Sequence, residues 1–252
     1  MSVATPPVIF SQQRRKLAAA RAAKLQQAPN AGRYLSADAG DDLLERMAFL
    51  WHQPKRAMVL GDRAGFLTEG LQQQGTDVIS APPPAFDLEL PWPSGQFDFI
   101  AALFVLDTAN DLPGALVHMR AALAPGGLAI AVLAGAGCLP MLRQAMLAAD
   151  GDRPAPHLHP QVDVRAGGQL LQRAGFAKPV VDSHALTVRY SKLDALVTDL
   201  RAQGLANQLA DPGPPLSRAA LTRARQAFAE QADNEGRVTE TFEVLTLSGW
   251  RL

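Results

Sequence analysis

The sequence predicts an α/β domain built on a mainly parallel sheet that ends in an antiparallel strand, and three observations carry that expectation. The run at 99–106 (FIAALFVL) is apolar without alternation, so both of its faces must be covered, as in the interior of a parallel sheet packed by helices. A turn, a helical repeat and a second unbroken apolar run at 128–133 follow it. Near the C-terminus, residues 237–247 alternate instead, as a strand with one covered face does.

At 252 residues with 48% hydrophobic content, the chain can bury a large core. No apolar run is long enough to cross a bilayer, and the first residues lack the apolar core of a secretion signal, so an intracellular location is expected. The one cysteine, Cys138, excludes an internal disulfide and a cysteine-cluster metal site. With 24 basic and 24 acidic residues the net charge is zero, which argues against a general affinity for nucleic acid. The charge is unevenly placed: no acid precedes Asp38, whereas Arg14, Arg15, Lys16, Arg21, Lys24 and Arg33 all do. Residues 1–36 are thereby set apart as a basic N-terminal segment from a domain over 37–252.

In chain order, Ser11 can cap a basic helix over 12–27. That helix has little apolar face, so it needs to dock, either on the domain or on an acidic partner. Taken as a partner-binding arm it should be dispensable, and deletion of residues 1–30 is expected to leave melting nearly unchanged. A second helix follows Asp41-Asp42, with Leu43, Leu44, Met47, Ala48, Leu50 and Trp51 as its apolar stripe. Residues 57–61 read as a short buried strand, 62–65 as a turn and 66–74 as a helix. After the strand at 99–106, Asn110 or Asp111 caps a helix with Pro113 in its first turn, Pro125-Gly126-Gly127 ends it, and 128–133 re-enters the sheet. Helices are expected over 139–149 and 169–175, a strand at 179–182, helices over 194–204 and 217–232, and the last strand at 237–247. The helices within 191–235 should form a cap over the strand ends. His157-x-His159 with Asp163 supplies metal-ligand residue types, but the spacing fits no compact helix or strand site and no metal is assigned.

The turn at 61–65 occupies the place where nucleotide-binding α/β folds bring backbone close to a ligand, with helix N–H groups facing it. Such folds hold the ribose hydroxyls with an acid about 20 residues after the glycine loop. Here that count lands at Ser80-Ala81, while Asp77 precedes Val78-Ile79 and falls at the wrong end of the strand. Pro82-Pro83-Pro84 then blocks a helix. Between Gly65 and Asp98 the chain is about 20 residues too short for the usual helix, strand, helix and strand, so one helix and one strand should be missing.

Strand, acidic turn, helix, Leu-x-Pro-Gly-Gly and strand, led in by residues 87–98 (DLELPWPSGQFD), resemble the second half of the Rossmann-like class I S-adenosylmethionine (SAM) methyltransferase fold. Further marks are Ile9-Phe10 with Arg14-Arg15-Lys16 and Arg21-Ala22-Ala23, the stretch 110–116 (NDLPGAL), and 168–176 (GQLLQRAGF) with 179–182 (PVVD). The stretches 186–190 (LTVRY), 199–207 (DLRAQGLAN) and 241–250 (TFEVLTLSGW) complete them. With these the chain resembles, over nearly its whole length, the complex I assembly factor 5 family and its bacterial relatives, related to the malonyl-carrier-protein methyltransferase of biotin synthesis.

The resemblance implies a SAM-binding domain acting on a protein or carrier-bound substrate, with a link to respiratory complex I assembly. It also implies a cytoplasmic location in a bacterium or the mitochondrial matrix in a eukaryote. In the mitochondrial member the attributed activity is hydroxylation of an arginine, so reaction type does not follow from the fold. Gly61, Asp62 and Gly65 would approach the methionine part of SAM, Asp87 and Leu88 would face the adenine, and Phe104 to Asp107 would line the methyl-donor end. Asp107 and Asp111 are candidates for holding a cationic substrate, and equally candidates for turn former and helix cap. No catalytic residue is assigned, because methyl transfer needs mainly alignment of donor and acceptor. Against the family pattern D-x-G-x-G-x-G, Val59 replaces the acid and Arg63 the middle glycine; if the turn still cradles a ligand, Arg63 must point away. Two readings stay open, an enzyme or a methyltransferase-like binding and assembly protein whose SAM site is weak or lost.

Overall fold

The computed structural model describes residues 7–81, 87–93 and 96–252; the expectation at Pro82-Pro83-Pro84 and the Ser94-Gly95 part of the lead-in lie outside them. The strands are β1 (Arg56–Leu60), β2 (Asp77–Ala81), β3 (Phe97–Leu103), β4 (Leu123–Ala134), β5 (Ala177–Tyr190) and β6 (Val238–Trp250), in one sheet of order β2-β1-β3-β4-β6-β5. Strands β1 to β4 are parallel, and β6 runs antiparallel between β4 and β5. This is the mainly parallel sheet with an antiparallel end that the sequence predicts. Its β2 side is truncated as expected: β2 ends at Ala81 and β3 begins at Phe97, too short a connection for a further helix and strand.

Each central strand feeds two core layers because successive side chains point to opposite faces. Val59, Phe99, Ala101 and Ile130 enter one layer, and Met58, Ile100, Ala102 and Ala131 the other. The first layer is covered by helices α2 (Tyr34–Phe49), α3 (Phe66–Gln73), α5 (Pro140–Asp150), α7 (Leu193–Ala202) and α8 (Arg218–Ala229), through residues such as Leu43, Leu67, Ala145, Leu196 and Phe228. The second is covered by α4 (Leu112–Ala122) and α6 (Val164–Arg173), through Leu116, Met119 and Leu171. Asp111 caps α4, its carboxylate accepting the Gly114 N–H at 2.9 Å. The Pro125-Gly126-Gly127 turn interrupts the ladder, so that Phe97 pairs with Leu123 but Phe99 with Leu128. On β6, the buried Glu240 carboxylate is satisfied at the N-terminus of α5, accepting the N–H groups of Met141 and Leu142.

Two expectations are corrected. The second helix starts at Tyr34 and buries Leu35 and Ala39 as well as Leu43 and Met47. Leu50 and Trp51 lie beyond its end and are 43% and 90% exposed, because Trp51 takes a left-handed backbone (φ 53°) that turns the chain off the domain. Strand β5 extends far past 179–182, pairing with β6 as far as Tyr190 opposite Val238; its mixed polar and apolar text hid it.

At the N-terminus, where docking on the domain or on an acidic partner was open, α1 (Gln12–Leu25) lies on the domain through the buried methyls of Ala19 and Ala22. Phe10 is buried and forms a β-bridge with Leu209. The Asn110 side chain accepts the N–H groups of Ile9 and Phe10, and Arg15 pairs with Glu89 at 3.1 Å while donating to the Thr108 carbonyl. A segment held in this way is not removable without cost. Among the described residues no helix is long and apolar enough to cross a membrane.

Candidate functional site

From β1 the chain goes outward to β2 and then crosses back to β3. The crevice beyond the C-terminal ends of β1 and β3 is therefore the topological switch point, where open α/β sheets bind ligands. Gly61 directly follows β1 there, packed against the end of β3. Its φ is 80°, and a Cβ there would stand 2.1 Å from the Leu103 carbonyl oxygen and 2.6 Å from Val105, so the neighbouring turn alone demands glycine. Asp62 fixes the turn: Oδ1 accepts from the Gly65 N–H and the Ser36 hydroxyl, and Oδ2 from the Thr68 N–H at 2.8 Å. Gly65 ends the turn at φ 83°, directly before α3. Arg63 reaches to the end of α7, where its Nε donates to the Gln203 carbonyl at 3.2 Å.

The opposite wall follows β3. Phe104 is half-buried with φ 50°, and its N–H is held by the Val132 carbonyl. Asp107 comes next, in a short 3-10 turn (Leu106–Thr108). Its Oδ1 accepts the Ala134 N–H at 2.6 Å, while Oδ2 is buried with no hydrogen-bond partner. Burial pushes this carboxyl up to about 7, against the opposing pull of the Ala134 bond. A group so poised can hold a donor or take a proton near neutral pH.

Asp107 lines a cavity of about 550 Å³ whose wall is apolar where Leu142 and Met146 of α5 and Val197 and Leu200 of α7 contribute to it. His159 also lines it; its Nε2 accepts the Gln208 N–H at 2.9 Å, and burial holds the ring down to about 4, so the imidazole is neutral. The Cys138 thiol, on the same wall, is pushed up to about 12 by burial and stays protonated. His157 pairs with Asp150 at 2.7 Å and Asp163 caps α6. The three residues of metal-ligand type thus have separate structural duties, and no group of three or more His, Cys, Asp or Glu that could hold a metal occurs among the described residues.

The two substrate candidates part company here, since Asp111 is spent on its helix cap and is not on the cavity wall, whereas Asp107 is. Asp87 accepts from the Glu89 N–H and from the Gln12 side chain. Leu88 packs against the second core layer, and its carbonyl accepts the Trp92 indole N–H at 3.0 Å. Sequence reasoning did not find His159 or the α5–α7 wall. The histidines of the Pro-rich loop were the available signal, and they were weighed only as metal ligands.

Residues 11–179 match the family described as a methyltransferase domain. The chain belongs to that family. The protein named arginine-hydroxylase NDUFAF5, mitochondrial, of Danio rerio is 32% identical over 195 residues, covering 74% of this chain and 61% of that protein. Its Rattus norvegicus counterpart is 31% identical over 166 residues, 64% of this chain and 48% of that protein, so the chain spans about half the length of these relatives. The malonyl-[acyl-carrier protein] O-methyltransferase of Halorhodospira halophila is 30% identical over 245 residues, 86% of this chain and 81% of that protein. Among solved structures, the Burkholderia thailandensis 1,6-didemethyltoxoflavin-N1-methyltransferase with bound S-adenosylhomocysteine has a TM-score of 0.50 over 100% of this chain and 92% of its own, at 12% identity; that likeness is one of fold.

In this methyltransferase-domain protein the turn at 61–65 and Phe104 follow the C-terminal ends of β1 and β3. Strand β2 ends in Ser80-Ala81, and Asp77 sits at its opposite end, beside Arg56 at 3.9 Å.

Proposed function

We propose that this protein is a SAM-dependent methyltransferase-type enzyme whose acceptor is a nitrogen-bearing group presented by a protein or a carrier, entering through the cavity beside Asp107. The observation that carries the reading is that Asp107, a residue lining that cavity just beyond the switch point, keeps a buried Oδ2 with no hydrogen-bond partner. Leaving such an oxygen unmet costs about 1–3 kcal/mol, and an N–H or cationic group of the acceptor would satisfy it. SAM supplies the methyl group when bound; Gly61, Asp62, Gly65 and Phe104 would hold its amino-acid half, and Asp87 and Leu88 its adenine. Asp107 orients the acceptor and takes up its proton.

A macromolecular acceptor is supported by the relatives' names and by α1, on which Arg14, Lys16, Arg21 and Lys24 are exposed and Arg21 reaches the cavity lining. That face suits an acidic protein. Within 191–235, α7 and α8 supply part of the acceptor cavity's lining through Val197, Leu200 and Leu221. The resemblance to the complex I assembly factor 5 family extends the reading to respiratory complex I assembly. A second reading, a non-catalytic binding and assembly protein, is favoured by Ser80-Ala81 at the end of β2 and by Arg63 in the cofactor turn. Titration calorimetry with SAM and S-adenosylhomocysteine separates the two: a saturable heat supports the enzyme, and none at millimolar ligand leaves the binding protein.

A further inference from the structure

His159, on the Pro-rich loop before α6, has one ring nitrogen spent on the protein and one that is not. The ring is fixed by two contacts: Phe10 meets it edge-on at 5.1 Å, and Nε2 accepts the Gln208 backbone N–H at 2.9 Å. That bond settles the tautomer. A backbone N–H only donates, so Nε2 carries the lone pair and, in the neutral ring, the proton stands on Nδ1. Burial keeps the ring neutral at physiological pH.

No hydrogen bond from the described residues reaches Nδ1, and it is not among the side-chain atoms that are sealed from solvent without a partner. The Nδ1–H is therefore an open donor, on a residue that lines the cavity of about 550 Å³ beside Asp107. Its neighbours on that lining are tied to the protein. Asn207 donates to the Pro156 and His157 carbonyls, the Thr198 hydroxyl donates to the Asp194 carbonyl, and His157 and Asp194 are paired with Asp150 and Arg225. Much of the remaining lining is apolar, with Leu142, Met146 and Val197. A neutral donor in such a wall selects for an oxygen acceptor on an otherwise apolar group, because a ligand that cannot accept leaves a desolvated N–H unmet. An ammonium or guanidinium has no lone pair to offer it.

We propose that His159 is a specificity-determining residue of the acceptor cavity: its Nδ1–H holds a carbonyl oxygen, so the nitrogen-bearing acceptor is a carboxamide rather than a cation. This rests on the cavity being the acceptor site, as in the proposed function, and narrows its substrate class. A carboxamide answers both groups, its oxygen accepting from His159 and its N–H donating to the Asp107 carboxylate. The ring is held in place before a ligand arrives, so little ordering opposes the bond.

The test is NMR titration of the full chain, followed on the histidine ring nitrogens, with hexanamide and with hexylammonium, two probes of equal chain length. The expected result is that His159 reports the neutral Nδ1–H form, that hexanamide shifts its signals and hexylammonium does not, and that hexanamide binds about three- to tenfold more tightly. His159→Phe should bring the two probes to parity, whereas His159→Asn, which keeps an N–H near the place of Nδ1, should retain part of the preference. Equal or tighter binding of hexylammonium overturns the inference, and if Asp107→Asn abolishes that binding the nitrogen-acceptor reading itself survives. Hexanamide binding that leaves the His159 signals unmoved, or that His159→Phe does not weaken, also overturns it, as does no binding of either probe. Preferential binding of hexanamide by a chain that binds no SAM supports the donor and removes only the methyl-transfer reading. Should His159→Phe fail to fold, the His159 signals of the unaltered protein in the two titrations decide.

Discussion

Arg63 and Gly204 occupy one volume between them: the guanidinium lies where a side chain on Gly204 would stand, with Cζ and Nε each 2.6 Å from a Cβ placed there. The glycine loop and the end of α7 are therefore sized to one another. Gly204→Ala should destabilise the protein by about 1–3 kcal/mol, from its left-handed backbone and the displaced guanidinium together. Urea unfolding measures it. Pairing it with Arg63→Ala should recover part of the loss, and strict additivity of the two losses would show that the residues do not meet.

The N-terminal segment is a structural part of the domain as well as a candidate docking face. Arg15→Ala removes a part-buried ion pair with Glu89 and a bond to Thr108, and should cost about 1–2 kcal/mol. Deleting residues 1–30 should cost more, since Phe10, Ala19 and Ala22 then leave the core. A thermal melt reads both. An unchanged Tm in the deletion would return the segment to the status of a free arm.

Asp107 should leave a signature in the pH dependence of stability. Its carboxyl titrates at about 7 in the fold and in the usual carboxylate range when unfolded. Between roughly pH 4 and pH 7 the folded state therefore holds a proton that the unfolded state has lost. Stability from this group is fully present below that window and is lost as pH rises through about 7. Asp107→Asn removes the dependence, so its stability relative to the unaltered protein should improve by on the order of 2–4 kcal/mol from pH 4 to pH 8. Denaturant titrations at the two pH values measure the difference, and a pH-independent gap would mean that the carboxyl is not held as described.

The central strands were legible because FIAALFVL and LAIAVL can only be covered on both faces, and the Pro-Gly-Gly turn between them is spelled out. The truncation beside β2 was legible as a count of residues. Strand β5 was not, because its outward residues mix polar and apolar types and its pairing with β6 is a long-range fact. The exposure of Trp51 depends on one left-handed residue that the helical pattern does not encode. Within the site, the departures at Val59, Arg63 and Ser80 could be read directly. What Arg63 and Asp107 do could not, because their surroundings at Gly204 and Ala134 lie far away in the chain.

The most direct test of the central claim is a calorimetric titration of SAM into the full chain, run beside the Halorhodospira halophila relative under the same conditions. The account predicts saturable binding that is at least roughly tenfold weaker than the relative's, because one charge-assisted bond to the ribose is lost. Affinity equal to the relative's would contradict the altered site, and no binding at millimolar SAM would contradict the methyltransferase-type function itself.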